Sequence, residues 1–411
     1  MRIVRFDFIP YPLWRRQFPA PVRAALRPLF RRWLAADADD HPPADPAALA
    51  AYLARWGLLL GASEAEARTA LAEPTPVEVA PAGEPDAAAA LPVRLPAQWE
   101  PVAAVLLTWP HLYPPLWAGH AALVAAVAPA AAVEILVPSA LWAAAARFYL
   151  RGRGIDDSYV RYVVAPVDDI WVRDYGPLVG RDANSRRAVV KPAFAPLPSY
   201  PQARDDALAR RWAALRGLPV APLDLRLEGG NLWTDGAGTL IVSDHALRAN
   251  RLDRVGLESR LRQALAFDKL IVTPCLRREE TGHVDLLAKL ADAQTVLVTA
   301  PALFYNGRAL RETAARFQRE TNAAGQPYQV IELPAPPPYL NWGVYPIWRS
   351  YTNALTVNGR VLVPVFDLPQ DERALAVYAR ALPDYRIIPI DCRAAVNGGG
   401  AVHCLTRDVP A

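Results

Sequence analysis

Five short polar segments interrupt an otherwise apolar chain: Asp168–Pro177 (DDIWVRDYGP), Leu227–Asn231 (LEGGN), Thr281–Asp285 (TGHVD), Tyr351–Asn353 (YTN) and Gly398–Thr406 (GGGAVHCLT). Between them they carry a thiol at Cys404, an imidazole at His283 and carboxylates at Asp174, Glu228 and Asp285. A thiolate is a nucleophile, an imidazole that titrates near neutrality serves as general acid and base, and paired carboxylates match the forked donors of a planar cation. A guanidinium fits that set best. Asp174 and Asp285 would clamp its nitrogens, and the Cys404 thiolate, favoured by the bound positive charge, would attack its central carbon. His283 would protonate departing ammonia and then activate water. Such a reaction calls for no metal and no cofactor, because the substrate brings its own electrophilic charge.

Each of these residues also has a plainer reading. A cysteine in a strand is usually a small buried hydrophobe. The glycines before Cys404, Gly399 and Gly400 among them, shift the balance, since they let backbone approach a ligand closely. His283 and Asp285, two apart on a strand, would point the same way and could both face a pocket. His403, next to Cys404, would then turn to the opposite face and is read as structural. Arg173 and Asp174 could form an ordinary ion pair, yet Trp171 and Tyr175 beside that carboxylate also suit a flat cation. Glu228 either meets the ligand or bonds amides of the Gly229-Gly230 turn. Asn231 and Asn353 either orient the ligand or satisfy backbone.

Composition narrows the setting of that chemistry. The chain has 411 residues, 53% of them hydrophobic and 21% charged, enough apolar material for a sizeable core and too much for intrinsic disorder. The net charge is +4, but only Lys191, Lys269 and Lys289 are lysines, and the arginines are scattered where a nucleic-acid binder would concentrate them. No nucleic-acid partner is expected. No stretch reaches the roughly 18 apolar residues of a membrane helix, and the N-terminal residues lack the apolar run of a secretory signal, so a cytoplasmic location is expected. Cys275, Cys392 and Cys404 are three in number and widely spaced, which suggests neither a disulfide framework nor a zinc site. Cys275 and Cys392 read as core residues. A homo-oligomer is left open.

The elements that must position these residues repeat. Each unit reads strand, tight polar turn, strand, helix, strand, with turns at Asp182–Ser185, Asp235–Gly238, Ala291–Gln294 and Asn358–Gly359. The Asp-Gly and Asn-Gly pairs, flanked by β-rich runs, are hairpin signals. A fifth unit would join the strand near Ala103 to the last one near Ala401–Thr406 and close a ring. The pattern favours a pseudosymmetric five-bladed α/β propeller, with the polar segments at equivalent positions around one central pocket. The competing fold, an open doubly wound sheet, is disfavoured by a hairpin in every unit. Residues 1–90 read differently, as short helices (Pro21–Ala35, Ala47–Leu58, Ser63–Leu71) joined by Pro/Ala-rich linkers. They are expected to be a helical extension to a catalytic domain spanning 91–411, or else an arm for acidic partners or a membrane surface.

LPAQWEP and WPH within Leu95–His111, DDIWVRDYGP, LEGGN, GHVD and GGGAVHC, in that order over Leu95–Asp408, resemble the agmatine deiminase and bacterial peptidyl-arginine deiminase family. The resemblance implies the five-bladed pentein fold and metal-free hydrolysis of a guanidine to a ureido group and ammonia through a covalent Cys thiouronium adduct. It implies Cys404 as nucleophile, His283 as acid/base, Asp174 and Asp285 as the guanidinium carboxylates, and Asn353 as a neighbour of the nucleophile strand. Two stretches depart from agmatine deiminases, Lys191–Pro201 (KPAFAPLPSYP) and Glu280-Thr281-Gly282. Lys289 and YTNALTVNG lean toward the peptidyl-arginine branch. A non-catalytic binding propeller and an amidinotransferase, which needs an amine in place of water, are the remaining alternatives.

Overall fold

Asn358 sits at a hairpin tip with φ 39°, the positive-φ conformation that such a turn demands and that Asn tolerates. Its side chain bonds the backbone N–H and carbonyl of Val102 at 2.9 and 2.8 Å and the Ala130 carbonyl at 2.8 Å, stitching one sheet to the next. Turns of this kind recur in a computed structural model that describes residue 21 and residues 43–83, 87–194, 203–277, 279, 281–301, 306–341 and 345–411. The expected helix Pro21–Ala35 lies, but for its first residue, outside the described residues.

Four three-stranded sheets share one pattern, a first strand antiparallel to the second and a third parallel to it after a helical crossover. The first sheet holds Leu178–Arg181, Arg187–Ala193 and Val220–Arg226, with the helix Ala203–Leu215 as crossover. The second holds Trp233–Thr234, Thr239–Ser243 and Lys269–Thr273, with Arg254–Arg262. The third holds Ala288–Leu290, Thr295–Thr299 and Gln329–Leu333, with Gly307–Arg319. The fourth holds Leu355–Val357, Arg360–Val365 and Arg386–Asp391, with Gln370–Ala381. The fifth closes the ring as the sequence suggests. The final strand Thr406–Pro410 lies antiparallel to Val102–Thr108, which runs parallel to Ala132–Val137. Val102–Thr108 (VAAVLLT) is buried at six of its seven positions, the continuous apolar run of a strand covered on both faces.

The fifth sheet is larger than its partners. Val160–Val164 and then Val77–Val79 extend it in parallel, making five strands. Two capped helices precede Val77. Asp45 accepts from the amides of Ala47 and Ala48 at 2.9 Å to start Pro46–Arg55, and Ser63 with Glu66 forms a capping box on Glu64–Ala72. Leu49, Leu53 and Leu71 are buried in the same core as Val105, Trp142 and Leu150. The described part of the segment read as a helical extension therefore packs into the propeller and completes its fifth sheet. Its alternating Ala and Leu could not reveal, from local pattern alone, which surface would cover them. Among the described residues no helix is long and apolar enough to cross a membrane.

Leu53 is fully buried, so Leu53→Ala is expected to cost about 2–5 kcal/mol as a core cavity. Circular dichroism should show one cooperative transition at lower temperature. An unchanged melting temperature would mean that these helices are energetically separate from the propeller.

Candidate active site

Each polar segment lies just ahead of the first strand of a sheet. Asp174 precedes Leu178–Arg181, Glu228 precedes Trp233–Thr234, His283 and Asp285 precede Ala288–Leu290, Asn353 precedes Leu355–Val357 and Cys404 precedes Thr406–Pro410. Equivalent places in five sheets thus deliver one side-chain cluster. Two local readings are corrected. Val284–Leu286 is a 3-10 turn and not a strand, and Cys404 lies in a turn that ends where the last strand begins. His403 consequently does not face away: its Nδ1 lies 2.7 Å from Asp285 Oδ2.

Asn353 organises the nucleophile. Its amide nitrogen donates to Cys404 Sγ at 3.1 Å and to Asp285 Oδ2 at 3.0 Å. Its carbonyl oxygen accepts from the amides of Ala401 and Cys404 at 3.1 and 3.3 Å. Cys404 Sγ stands 3.8 Å from Asp285 Oδ2. Asp285 Oδ1 is buried with no hydrogen-bond partner among the described residues, as is His283 Nε2. Facing this group, Asp174 Oδ1 accepts from Gly230 N at 3.0 Å and lies 3.6 Å from His283 Nδ1, while Glu228 Oε2 is 3.9 Å from His283 Nε2. A Cβ on Gly230 would fall 2.5 Å from His283 Nδ1 and 2.7 Å from Asp174 Oδ1, so only glycine lets these two meet. Glu228 accordingly faces the imidazole rather than capping the glycine turn.

The other expected site residues surround this cluster. Trp171 lays its ring on the glycine run: a Cβ on Gly400 would come within 2.4 Å of that ring and 2.9 Å of Cys404 Cβ. Gly399 has open space around it. Arg173, expected beside the ligand or paired with Asp174, is buried and bonded elsewhere. Its Nη1 donates to Asp408 Oδ1 at 2.7 Å, its Nε to the His403 carbonyl at 3.2 Å, and its backbone N–H to the Cys404 carbonyl at 3.2 Å. It clamps the nucleophile turn to the closing strand. Asn231 accepts from Ser243 N at 2.9 Å, and Ser243 Oγ donates to the Gly282 carbonyl at 2.5 Å, which fixes the approach to His283. Cys392 is buried as expected, whereas Cys275 is only half-buried and bonded by Arg248. Among the described residues no set of three or more His, Cys, Asp or Glu is grouped as a metal site requires.

The electrostatics follow from burial. Burial, with Asp285 and Asp174 adding to it, pushes the Cys404 thiol well above its usual range. Burial likewise raises Asp174, and it lifts Asp285 to about 7. For His283 burial works against the charge, yet Asp174, Glu228 and Asp285 together raise it to about 10. The imidazole is thus an imidazolium at neutral pH, ready to donate a proton, and the thiol is neutral until a cation offsets the carboxylates.

A family model described as Porphyromonas-type peptidyl-arginine deiminase matches residues 94–410. The agmatine deiminase of Pseudomonas aeruginosa strain UCBPP-PA14 is 32% identical, with 77% of this chain and 95% of that protein covered. A solved structure described as the putative arginine deiminase of Porphyromonas gingivalis is 27% identical, with TM-score 0.70 over 77% of this chain and 98% of the other. Agmatine deiminase of Enterococcus faecalis shares the fold at TM-score 0.70 and 22% identity, over 77% and 96% of the two chains.

A protonated resting thiol has a direct signature. Alkylation of Cys404 by neutral iodoacetamide, followed by peptide mapping, is expected to be slow at pH 7 and to rise by about tenfold per pH unit toward pH 9 as thiolate forms. A rate flat from pH 6 to 9 would show the thiolate present from the start.

Proposed function

The chain belongs to the Porphyromonas-type peptidyl-arginine deiminase family, and from that premise we propose that it hydrolyses agmatine, a small cationic guanidine, to a ureido product and ammonia. The observation that carries the reading is the buried thiol of Cys404, 3.8 Å from one carboxylate and joined to it through Asn353, with an imidazolium and two further carboxylates facing it. A guanidinium held between Asp174 and Asp285 offsets the charges that keep the thiol protonated, so substrate binding and nucleophile activation are one event.

The steps then balance. As the guanidinium binds, the thiol gives its proton to water, and the thiolate adds to the guanidinium carbon. His283 protonates one nitrogen, the C–N bond breaks and ammonia leaves, giving a thiouronium on Cys404. Neutral His283 takes a proton from water, whose oxygen adds to the same carbon. The C–S bond then breaks, the new hydroxyl passes its proton to the departing thiolate to regenerate Cys404, and the ammonia takes up the proton first released from the thiol. Overall, guanidinium and water become a ureido group and ammonium. His283 alternates between acid and base, a role suited to a group flanked by Asp174 and Glu228 on separate sheets.

Citrulline formation in peptides is a second reading. It is favoured by the description of the matching family, a peptidyl-arginine deiminase. Residues 43–80, which complete the fifth sheet, are read as part of the catalytic scaffold.

Ammonia release should be assayed with agmatine, free arginine and a blocked arginine peptide. Agmatine is expected to be turned over by the native protein and not by Cys404→Ser, which should still bind it. Turnover of the peptide alone would select the second reading, and unchanged ammonia release in Cys404→Ser would sink both. Asp174→Asn leaves a buried cation half-paired, a loss of about 3–5 kcal/mol, so kcat/KM should fall by about two to four orders of magnitude.

A further inference from the structure

Behind Asp285 lies a buried column that the reaction does not consume. His403 is 1% exposed, Trp233 4% and Lys289 0%. The imidazole stacks on the Trp233 indole, with centroids 4.7 Å apart and planes at 22°. Trp233 is held by its Nε1–H, which donates to the Ala288 carbonyl at 2.9 Å, and the Lys289 ammonium lies over the indole at 5.0 Å. Lys289 is itself fixed, donating to Gln98 Oε1 at 2.6 Å and to the Ala354 carbonyl at 3.1 Å. Two residues from adjacent sheets, Trp233 and Lys289, therefore set the plane and position of the imidazole on the closing turn.

That imidazole ends on Asp285. With the carboxylate ionised, Nδ1 carries the proton and donates to Oδ2 at 2.7 Å. Burial and the nearby Arg173, Lys289 and Arg407 hold the ring neutral, so it orients the carboxylate without neutralising it. The Asn353 amide donates to the same oxygen. Two donors on Oδ2 stop the carboxylate from rotating and keep Oδ1 clear of protein partners among the described residues. We propose that His403, seated on Trp233 and backed by Lys289, is a positioning residue that fixes the Asp285 carboxylate so that Oδ1 meets a guanidinium nitrogen. This rests on the reading of Asp285 as a guanidinium ligand.

The test compares two reagents on Cys404: 2-chloroacetamidine, a cation shaped like the guanidinium head, and neutral chloroacetamide. Mass spectrometry gives the two second-order rate constants and their ratio. If the native protein shows no preference for the amidine, the guanidine-site reading fails, whatever His403 does. If it does, His403→Phe, which keeps a ring on Trp233 and loses the donor, is expected to lower the ratio by about ten- to hundredfold, the worth of a charge-assisted hydrogen bond. The chloroacetamide rate should stay nearly constant. His403→Asn, which returns a donor near Nδ1, is expected to keep the ratio within about threefold of native. A ratio unchanged in His403→Phe overturns the proposal, as does an equal fall with both reagents, the mark of a merely structural role. Should His403→Phe not fold, a ratio lost in soluble His403→Asn overturns it equally.

Discussion

Asp285 is a wholly buried carboxylate, and the geometry around it organises the rest of the site. Burying such a charge is costly unless it is bonded and matched. Here one oxygen takes bonds from Asn353 and His403, and the same Asn353 amide reaches Cys404 Sγ. Nucleophile and carboxylate are thus held by one planar side chain whose own carbonyl is pinned by the nucleophile turn. Asn353 therefore couples the distance between thiol and carboxylate to the backbone of two different sheets. A shift in either sheet would move both groups together, which preserves their relation.

The ring architecture explains how side chains so distant in sequence meet. Each sheet begins with a short strand, and the loop entering that strand is the one that carries chemistry. The closing strand Thr406–Pro410 makes the ring depend on its last few residues. Arg173 enforces this closure, because one guanidinium bonds both Asp408 and the carbonyl next to the nucleophile. The Asp408 carboxyl is pushed down to about 2: burial opposes the charge, but Arg173 and Arg407 prevail. A folded-state pKa below the unfolded value gives stability that is present above the unfolded value near 4 and lost as pH falls toward 2. Closure of the propeller and placement of Cys404 are consequently the same structural event.

The chemistry was legible in residue types more than in local geometry. Asp174, Glu228, His283, Asp285, Asn353 and Cys404 stood out because such groups are rare in apolar runs, and the structure brings them together. A strand would put His283 and Asp285 on one face, whereas the 3-10 turn that forms there sends them to different partners. His403 was misread for the same reason, since its neighbour Cys404 lies in a turn. Arg173 was misplaced because its true partner, Asp408, lies 235 residues away and becomes a neighbour only when the ring closes. The hairpins of four units were readable from their turns. The helix Trp117–Val127 was not, because an Ala-rich segment buried around much of its surface gives little amphipathic period. Trp233 carried no local signal and Lys289 only a family resemblance, and their place in the site comes from the imidazole they support.

Charge decides which substrates such a pocket can process. Asp174, Glu228 and Asp285 stand around one imidazole, so acidic groups outnumber basic ones at the face of Cys404. At an effective dielectric of about 20, two unit charges about 4 Å apart interact by about 4 kcal/mol. A cation between two carboxylates gains that attraction and at the same time offsets the charges that hold the proton on Cys404. A neutral amide of similar shape gains neither. It would meet a protonated thiol, a far weaker nucleophile, even if it fitted perfectly. Selectivity in this arrangement therefore resides in the nucleophile's ionisation as well as in binding, because only a cation creates the thiolate that attacks it.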